Sequence, residues 1–244
     1  MDRFFLPPSL WGDSFSLTGD EAHHCRRVMR KKVGDVIEVF DGEGRYATAS
    51  IAAMSSNEVL LEEITRGQSR KIIPEIEIAV GIPKGKTFDF IIQKAVELGV
   101  GRIQPLVSDQ GNVRITDKDH ASKRDKWQRV ALEACKQCGQ NFQPQVLPPR
   151  ELGAWLETAR EGGKYVGALQ PASRPFRSLL EASGEPEVIT LLIGPEGDFS
   201  EREYSAIAAS GFSPVDLGEL VLRTETAVFA MIAAVRYHFQ LPTK

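Results

Sequence analysis

Residues 188–200 read VITLLIGPEGDFS, an apolar run followed by a glycine-containing loop. The β-branched and leucine run at its start is typical of a strand buried on both faces of a sheet. A loop with two glycines around a proline follows, and Ser200 has the capping-box spacing to Glu203, so a helix is predicted to begin there. Ligands of open α/β sheets bind at the carboxyl ends of the strands. This loop is therefore a candidate ligand site.

A second loop of the same kind lies at 217–226, which read LGELVLRTET. It follows a short predicted strand at Pro214–Leu217 and precedes a long apolar helix, with Thr224 as the predicted N-cap. That helix is apolar on more than one face, which predicts burial on two sides and packing against a second subunit. We expect the two loops to form two walls of one pocket.

The charges of the first loop indicate which ligands fit. Glu196 and Asp198 place two carboxylates where a phosphate would require bare amides and positive potential. No Gly-x-Gly-x-x-Gly run and no P-loop lysine follow, which disfavours a nucleotide polyphosphate and a Rossmann-type dehydrogenase. A neutral or cationic ligand fits better. An ordinary strand–turn–helix joint with solvent-facing acids is the alternative for this loop taken alone.

From Glu75 onward, strand and helix patterns alternate, which predicts an α/β fold with a mostly parallel sheet. The predicted strands are Ile76–Val80, Ile103–Val107, Tyr165–Leu169, Val188–Ile193 and Val215–Leu217. The predicted helices are Phe88–Leu98, Lys123–Cys138, Glu151–Arg160, Glu201–Ala209 and Glu225–Phe239.

The N-terminal part of the chain has a different pattern. Short strands are predicted within 33–65 after one helix at Thr18–Lys32, and the sequence DGEG at 41–44 is a strong hairpin signal. Short strands at this spacing are typical of a small β-barrel. The polar stretch Thr65–Lys71 is the predicted linker. We therefore expect two domains, at 1–70 and 75–244.

Both loop motifs resemble the S-adenosylmethionine-binding motifs of the SPOUT methyltransferases, in particular those of the RsmE family, the 16S rRNA (uracil-N3) methyltransferases. The similarity extends to 84–86 with 94–100, to 127–139, and to Arg3-Phe4-Phe5. It implies a SPOUT-type parallel sheet whose segment around 194–240 threads a C-terminal trefoil knot, and a small N-terminal PUA-like β-barrel domain that binds RNA. It also implies an S-adenosyl-L-methionine cofactor, a 16S rRNA substrate and a homodimer paired through the C-terminal helices.

The resemblance assigns cofactor and catalytic roles to residues of these loops. Methyl transfer from a sulfonium requires the protein mainly to position the reactants, while the imide nitrogen of uracil must lose its proton. Arg223 is the candidate for stabilising the resulting anion, and Glu225 is the candidate base. Pairing of these two residues with Glu196 or with each other, to hold the loop, is the alternative. Cofactor contacts are expected from Leu169, Gly194, Pro195, Glu196, Gly197, Leu217, Gly218, Leu222, Arg223, Thr224 and Thr226.

Four residues at three sites depart from the family pattern. Asp198 stands where the family usually has glycine, Asp109-Gln110 replaces a Glu-Arg pair, and Gln140 replaces an arginine. Asp198 adds a negative charge beside the cofactor loop. The other two changes remove positive charges that could hold RNA.

The net charge of −3 requires that any RNA contact come from local clusters of cations. Residues 26–32 hold five cations, and the loop at 84–86 holds two lysines. A third basic cluster, at 118–129, is equally well explained as a solvated helix face. RNA contacts are predicted at Arg3, Arg26, Arg27, Arg30, Lys31, Lys84 and Lys86.

The composition is that of an ordinary globular protein, with 42% hydrophobic and 26% charged residues. No apolar run approaches the ~18–20 residues that span a bilayer, and no signal-peptide pattern opens the chain, so a cytoplasmic location without membrane contact is expected. Three cysteines favour a reducing compartment, and Cys135-x-x-Cys138 lacks the partners of a zinc site, so no metal is expected. A non-catalytic rRNA-binding assembly factor is the rival function.

Overall fold

The computed structural model describes residues 1–12, 15–111, 117–158 and 161–239. Within those ranges, no helix combines the length and the apolar character that crossing a membrane requires.

The chain divides into two compact units that do not follow a single linear boundary. The first unit comprises Met1–Lys71 and Leu132–Gln143, and the second comprises Ile72–Ala131 and Pro144–Lys244. The division expected from the sequence, at 1–70 and 75–244, assigns residues 132–143 to the other unit. This segment joins the first unit through tertiary contacts, which local sequence patterns do not carry.

The first unit is built on a five-stranded mixed sheet. Its strands are β1 (Arg3–Phe5), β2 (Phe15–Thr18), β3 (Val36–Phe40), β4 (Arg45–Met54) and β5 (Glu58–Gln68), in the spatial order β1-β3-β4-β5-β2. β1 is parallel to β3, whereas the other neighbours are antiparallel. The predicted hairpin turn lies between β3 and β4, where the buried carboxylate of Asp41 accepts hydrogen bonds from the amides of Glu43 and Arg45 at 2.7 and 2.9 Å.

The helix of the first unit is shorter than the predicted Thr18–Lys32. Helix α1 spans Gly19–His23 and continues as one π-helical turn over His24–Val28. The chain then adopts the left-handed conformation at Arg30, where φ is 54°. That conformation ends a helix, because successive residues of an L-amino-acid chain do not sustain it.

Alternation along the strands builds the core of the first unit. In β4, Ala47, Ala49 and Ile51 are buried, and they pack with Phe4 and with Cys25 of the π-helical turn. The predicted linker at 65–71 is shorter than expected, because residues up to Gln68 belong to β5.

The second unit is built on an eight-stranded sheet, and all of its strand pairs are parallel. Its strands are β6 (Glu75–Gly81), β7 (Arg102–Val107), β8 (Gln145–Val146), β9 (Arg150–Glu151), β10 (Gly163–Gly167), β11 (Arg174–Pro175), β12 (Val188–Ile193) and β13 (Ser213–Asp216). The order is β11-β13-β10-β12-β6-β7-β8, with β9 also paired to β7. The predicted parallel α/β sheet is therefore confirmed.

Six helices in the described part of the chain accompany this sheet. The C-terminal end of the second of them belongs to the first unit. They are α2 (Thr87–Glu97), α3 (Asp117–Cys138), α4 (Leu152–Leu156), α5 (Phe176–Glu181), α6 (Glu201–Ala209) and α7 (Thr224–Phe239). The predicted capping box of α6 is present, since Ser200 and Glu203 exchange both hydrogen bonds. The helix predicted at Glu151–Arg160 ends at Leu156, and Arg160 lies outside the described residues. α5 is absent from the prediction.

The C-terminal helix α7 packs on α2, α5, β6 and β12. Arg236 anchors its last turns by donating to the carbonyls of Pro74 and Leu98 at 2.8 and 3.2 Å. Burial lowers the pKa of this guanidinium to about 10. The pattern of apolar residues on more than one face of α7 is thus explained in part by contacts within the second unit itself.

Strand order brings four strand ends together at one edge of the sheet. β12 lies between β10 and β6, and β13 pairs with the outer side of β10. Since these strands are parallel, the loops after Gly167, Ile193 and Asp216 leave the same edge. The two loops singled out by the sequence follow β12 and β13, so the topology places them together.

Candidate functional site

A cavity of about 540 Å³ lies at this edge of the second unit. That volume is within the usual range for small-molecule sites. Its walls come from the connections after β10, β12 and β13 and from the start of α2 and α7. The lining residues are Thr87, Gly167, Ala168, Leu169, Ile193, Gly194, Pro195, Glu196, Asp198, Val215, Leu217, Gly218, Leu220, Val221, Leu222, Arg223, Thr224, Glu225 and Ala227.

Close packing against the neighbouring strand β6 fixes the first loop of the cavity. Gly194 and Pro195 are buried, and a Cβ atom at Gly81, the last residue of β6, would lie 2.4 Å from the Cδ atom of Pro195. Only glycine fits at such a close approach. At the exposed end of the loop, Glu196 accepts a hydrogen bond from the main-chain amide of Lys84 at 3.0 Å. This bond joins the loop to the basic turn that precedes α2.

Asp198 closes the first loop in the left-handed conformation, with φ of 60°. Aspartate is among the few residues other than glycine that adopt this conformation readily. Its Oδ1 atom accepts hydrogen bonds from the hydroxyl of Tyr204 at 2.7 Å and from the amide of Phe199 at 2.8 Å. Burial, together with this bond to Asp198, raises the pKa of the Tyr204 hydroxyl, so the hydroxyl remains a neutral donor. The backbone geometry explains why a glycine and an aspartate can occupy the same position.

The second loop turns at Gly218, where φ is 116°. The amide of Gly218 donates to the carboxylate of Asp216 at 2.8 Å. A positive φ of this size strains any residue with a Cβ atom, so glycine is required here. Leu217 and Leu222 lie on either side of the exposed stretch at 219–221 and line the cavity.

A buried hydrogen bond joins the two loops. Thr224, which the sequence assigns to a helix cap, is the first residue of α7, and its hydroxyl donates to the carbonyl of Gly194 at 3.1 Å. The bond ties the start of α7 to the end of β12. The two motifs therefore form one structural unit around the cavity.

The two candidate catalytic residues both line the cavity. Arg223 is exposed, and Glu225 is half-buried in the first turn of α7. Among the residues that the structure describes, Arg223 forms no ion pair with Glu196 or Glu225. The alternative in which these charges pair to hold the loop therefore has no support from the described contacts. The guanidinium is available for a ligand.

Most of the predicted cofactor residues line the cavity. Gly197 and Thr226 are outside its described lining. Sequence reasoning did not include Thr87, Gly167 or Ala168. The rule that ligands lie beyond the carboxyl ends of parallel strands could have found the last two, since Gly167 ends β10 and Ala168 follows it. Thr87 follows the Lys-Gly-Lys turn and carried no signal of its own.

Arg3, a predicted RNA contact, has a structural role in the first unit. Its Nε atom pairs with Glu38 at 2.5 Å, its Nη1 atom donates to the carbonyl of Cys135 at 2.6 Å, and its Nη2 atom donates to Asn141. The side chain is only 8% exposed. The guanidinium thus binds the returning segment 132–143 to β1 and β3, and it does not face solvent as an RNA contact should.

The basic cluster at 26–32 divides into paired and exposed cations. Arg26 donates to the carbonyl of Ser56 at 2.5 Å. Lys31 pairs with Asp2 at 2.5 Å, and that hydrogen bond raises the pKa of its ammonium group. Arg27 and Arg30 are exposed. In the second unit, Lys84 and Lys86 are exposed on the turn whose amide contacts Glu196.

The first cysteine of the Cys135-x-x-Cys138 pair has a thiol that resists ionisation. Cys135 is buried, and burial raises the pKa of its thiol to about 12. Cys138 is exposed. Across the described residues, no group of three or more His, Cys, Asp or Glu side chains is arranged to hold a metal ion.

Family models match both units of the chain. A model described as the RNA methyltransferase domain matches residues 70–236, and a model of the RNA methyltransferase PUA domain matches residues 17–64. Ribosomal RNA small subunit methyltransferase E of Bacillus subtilis is 30% identical over 235 residues, which cover 93% of this chain and 91% of the relative. The protein of the same name from Synechocystis is 31% identical and covers 94% of this chain and 75% of the relative.

Solved structures agree with these relatives. Ribosomal RNA small subunit methyltransferase E of Neisseria gonorrhoeae, bound to S-adenosyl methionine, superposes with a TM-score of 0.89 at 30% identity and covers 98% of both chains. A Legionella pneumophila methyltransferase in complex with the bound cofactor SAM superposes with a TM-score of 0.88 at 30% identity and covers 97% of both chains. The chain therefore belongs to the RsmE family of RNA methyltransferases.

Proposed function

We propose that this protein transfers a methyl group from S-adenosyl-L-methionine to N3 of a uridine in the 16S rRNA of the small ribosomal subunit. One observation carries the proposal. The loops after β12 and β13, joined by the bond from Thr224 to Gly194, enclose a single cavity with Arg223 at its wall. The relative from Neisseria gonorrhoeae, which has the same fold over nearly its whole length, was solved with S-adenosyl methionine bound.

The cofactor would be held mainly by main-chain groups of the two loops. The proposed contacts are those predicted from the sequence, with Gly197 and Thr226 less favoured because they lie outside the lining: Leu169, Gly194, Pro195, Glu196, Leu217, Gly218, Leu222, Arg223 and Thr224. When bound, the cofactor supplies a methyl group on a sulfonium. Fixed loops matter here, because positioning of the two reactants provides most of the acceleration in such a displacement.

Arg223 is the proposed stabiliser of the uracil anion. Loss of the N3 proton spreads negative charge over the neighbouring carbonyl oxygens, and a guanidinium that has no ion pair within the described part of the chain can bind them. Glu225, half-buried in the first turn of α7, is the proposed base. Arg223 directly precedes α7 and Glu225 lies in its first turn, so the bond from Thr224 to Gly194 holds both relative to the first loop.

RNA binding is proposed for the PUA-like first unit and for the basic turn of the second. The exposed residues Arg27 and Arg30 are the strongest candidates, and Lys84 and Lys86 lie on the turn tied to the cofactor loop. Arg26 and Lys31 already have partners within the first unit and would contribute less. Arg3 is not part of this proposed surface. Action on rRNA implies that the protein works in the cytoplasm.

We also propose the trefoil knot and the homodimer that the family implies. The predicted knot involves 194–240, of which residue 240 lies outside the described residues, and the packing of α7 on β6 and β12 is compatible with such threading. Stretching the chain by its ends in optical tweezers would leave a knotted chain shorter than its full contour length.

Pairing of two copies through α7 is proposed because Tyr237 on this helix and Phe90 on α2 expose aromatic surface. Sedimentation analysis would reveal a monomer if that proposal is wrong.

The decisive experiment compares cofactor binding with methyl transfer. Purified protein, tritiated S-adenosylmethionine and either free 16S rRNA or small subunits from a strain lacking the gene would be combined, and the product nucleoside identified by mass spectrometry. Arg223→Ala should reduce turnover by about 10²–10³-fold while the affinity for S-adenosylmethionine stays within about twofold. Arg177→Ala, at a side chain that is 87% exposed and lies outside the cavity lining, is the matched control.

Three outcomes contradict parts of the proposal. If the wild-type protein binds S-adenosylmethionine but methylates neither substrate, the non-catalytic assembly factor is favoured. A methyl group at another position of the nucleoside refutes the N3 assignment alone. Loss of cofactor binding in Arg223→Ala would assign Arg223 to the loop rather than to the reaction.

A further inference from the structure

The wall of the cavity carries an excess of negative charge. Its titratable lining residues are three carboxylates, Glu196, Asp198 and Glu225, and one guanidinium, Arg223. Glu196 is exposed and bound to the amide of Lys84, whereas Asp198 is half-buried. A partly buried charge is screened less by solvent and salt than an exposed one. Asp198 therefore dominates the field that a ligand in this cavity would experience from the first loop.

The carboxylate of Asp198 is also fixed in place. The hydroxyl of Tyr204 and the amide of Phe199 both donate to its Oδ1 atom, at 2.7 and 2.8 Å. Tyr204 is itself held by an edge-to-face contact with the ring of Phe199. Such anchoring requires no rearrangement when a ligand enters, so the charge acts on the ligand from a constant position.

We propose that Asp198 makes the cavity discriminate between the methyl donor and the demethylated product, a role that rests on the proposed function. In the transfer, the S–CH3 bond breaks, the N3–CH3 bond forms, the bonding electrons return to sulfur, and the N3 proton leaves to the base. Substrate cofactor and product differ by the methyl group and by one positive charge, because the sulfonium becomes a neutral thioether. A fixed carboxylate attracts the sulfonium charge, which only the donor carries, whereas the amino-acid group is common to both molecules. It therefore strengthens binding of the donor relative to the product.

The consequence is that fresh donor displaces the product at a lower donor concentration. A unit charge about 10 Å from the sulfonium, at an effective dielectric constant of ~25–50, would favour the donor by about 3- to 10-fold. The effect should weaken as salt rises, because Asp198 is only half-buried.

Calorimetric titration of the wild-type protein with S-adenosylmethionine and with S-adenosylhomocysteine tests the inference. Asp198→Asn keeps an acceptor for Tyr204 and tolerates the left-handed conformation, and Asp198→Gly removes the side chain where φ is 60°. Both variants should lower the ratio of the product's Kd to the donor's Kd by about 3- to 10-fold, mainly through weaker donor binding. The exposed Glu201, at the start of α6 and outside the cavity lining, provides a charge-matched control in Glu201→Gln, which should leave the ratio unchanged.

Raising the salt concentration should move the wild-type ratio toward that of Asp198→Asn. The inference is overturned if the ratio is the same in all variants, or if both ligands weaken equally, which would show that Asp198 only supports the loop. Absence of donor binding to the wild-type protein would instead refute the proposed function, so the two failures are distinguishable.

Discussion

The N-terminal strand of the first unit and the cavity wall of the second each carry an arginine that the family motifs single out, and the fold uses the two in opposite ways. Arg3 is buried, and its guanidinium binds Glu38, Cys135 and Asn141. Arg223 is exposed at the cavity, with no ion pair to the described residues Glu196 and Glu225. A motif arginine is therefore assigned to stability or to function by its partners, and the motif alone does not distinguish the two roles.

The largest effect on stability is expected for substitution of Arg3, whose side chain is only 8% exposed. Arg3→Ala would leave the carboxylate of Glu38 and two acceptors of the returning segment without their donor, and losing one member of a buried charged network costs about 3 kcal/mol. We expect the free energy of unfolding to fall by about that amount in urea denaturation. The affinity for S-adenosylmethionine, measured under native conditions, should not change.

Arg27→Ala is the matched control for this experiment, because Arg27 is an exposed arginine of the same unit. Surface substitutions of this kind change stability by about 0.5 kcal/mol or less. Equal effects of the two substitutions would contradict the assignment of Arg3 to the fold and would return it to the RNA surface.

An intermediate effect is expected at the bond that joins the two loops. Thr224→Val keeps the shape of the side chain but leaves the buried carbonyl of Gly194 without its donor, which costs about 1–2 kcal/mol. Because Gly194 and Thr224 both line the cavity, affinity for S-adenosylmethionine should fall about 5- to 20-fold in calorimetric titration. Thr65→Val, an exposed position on β5 that is not among the predicted cofactor contacts, should change both quantities little. Full affinity in Thr224→Val would mean that the loops hold the ligand independently.

Local sequence patterns predicted the parts of the site that local physics determines. The strand at 188–193, the capping box at Ser200 and the helix Glu201–Ala209 depend on neighbouring residues only, and each is present as predicted. Because the sheet is parallel, the carboxyl ends of these strands then lie at one edge. The cavity lined by both loops is a consequence of these few rules.

The remaining features depend on contacts between residues that are distant in the sequence. The segment 132–143 belongs to the first unit because Asn141 and the carbonyl of Cys135 accept from Arg3, more than a hundred positions away. β8, β9 and β11 have two residues each, too few to show a period. The π-helical turn at 24–28 and the left-handed Arg30 likewise have no helix-breaking residue to signal them.

The smallest effect is expected for substitution of the exposed cations of the first unit. This experiment tests whether the surface arginines of that unit bind RNA, in contrast to Arg3 in its interior. If Arg27 and Arg30 contact phosphates, the double substitution to alanine should weaken 16S rRNA binding about 3- to 10-fold and reduce the slope of log K against log[salt] by about 1–2. Stability should change little, because both side chains are exposed. Filter binding across a salt series measures both quantities, with Arg177→Ala of the second unit as the control. An unchanged slope would exclude these arginines as phosphate contacts, and the exposed lysines Lys84 and Lys86 would then be the next predicted contacts to test.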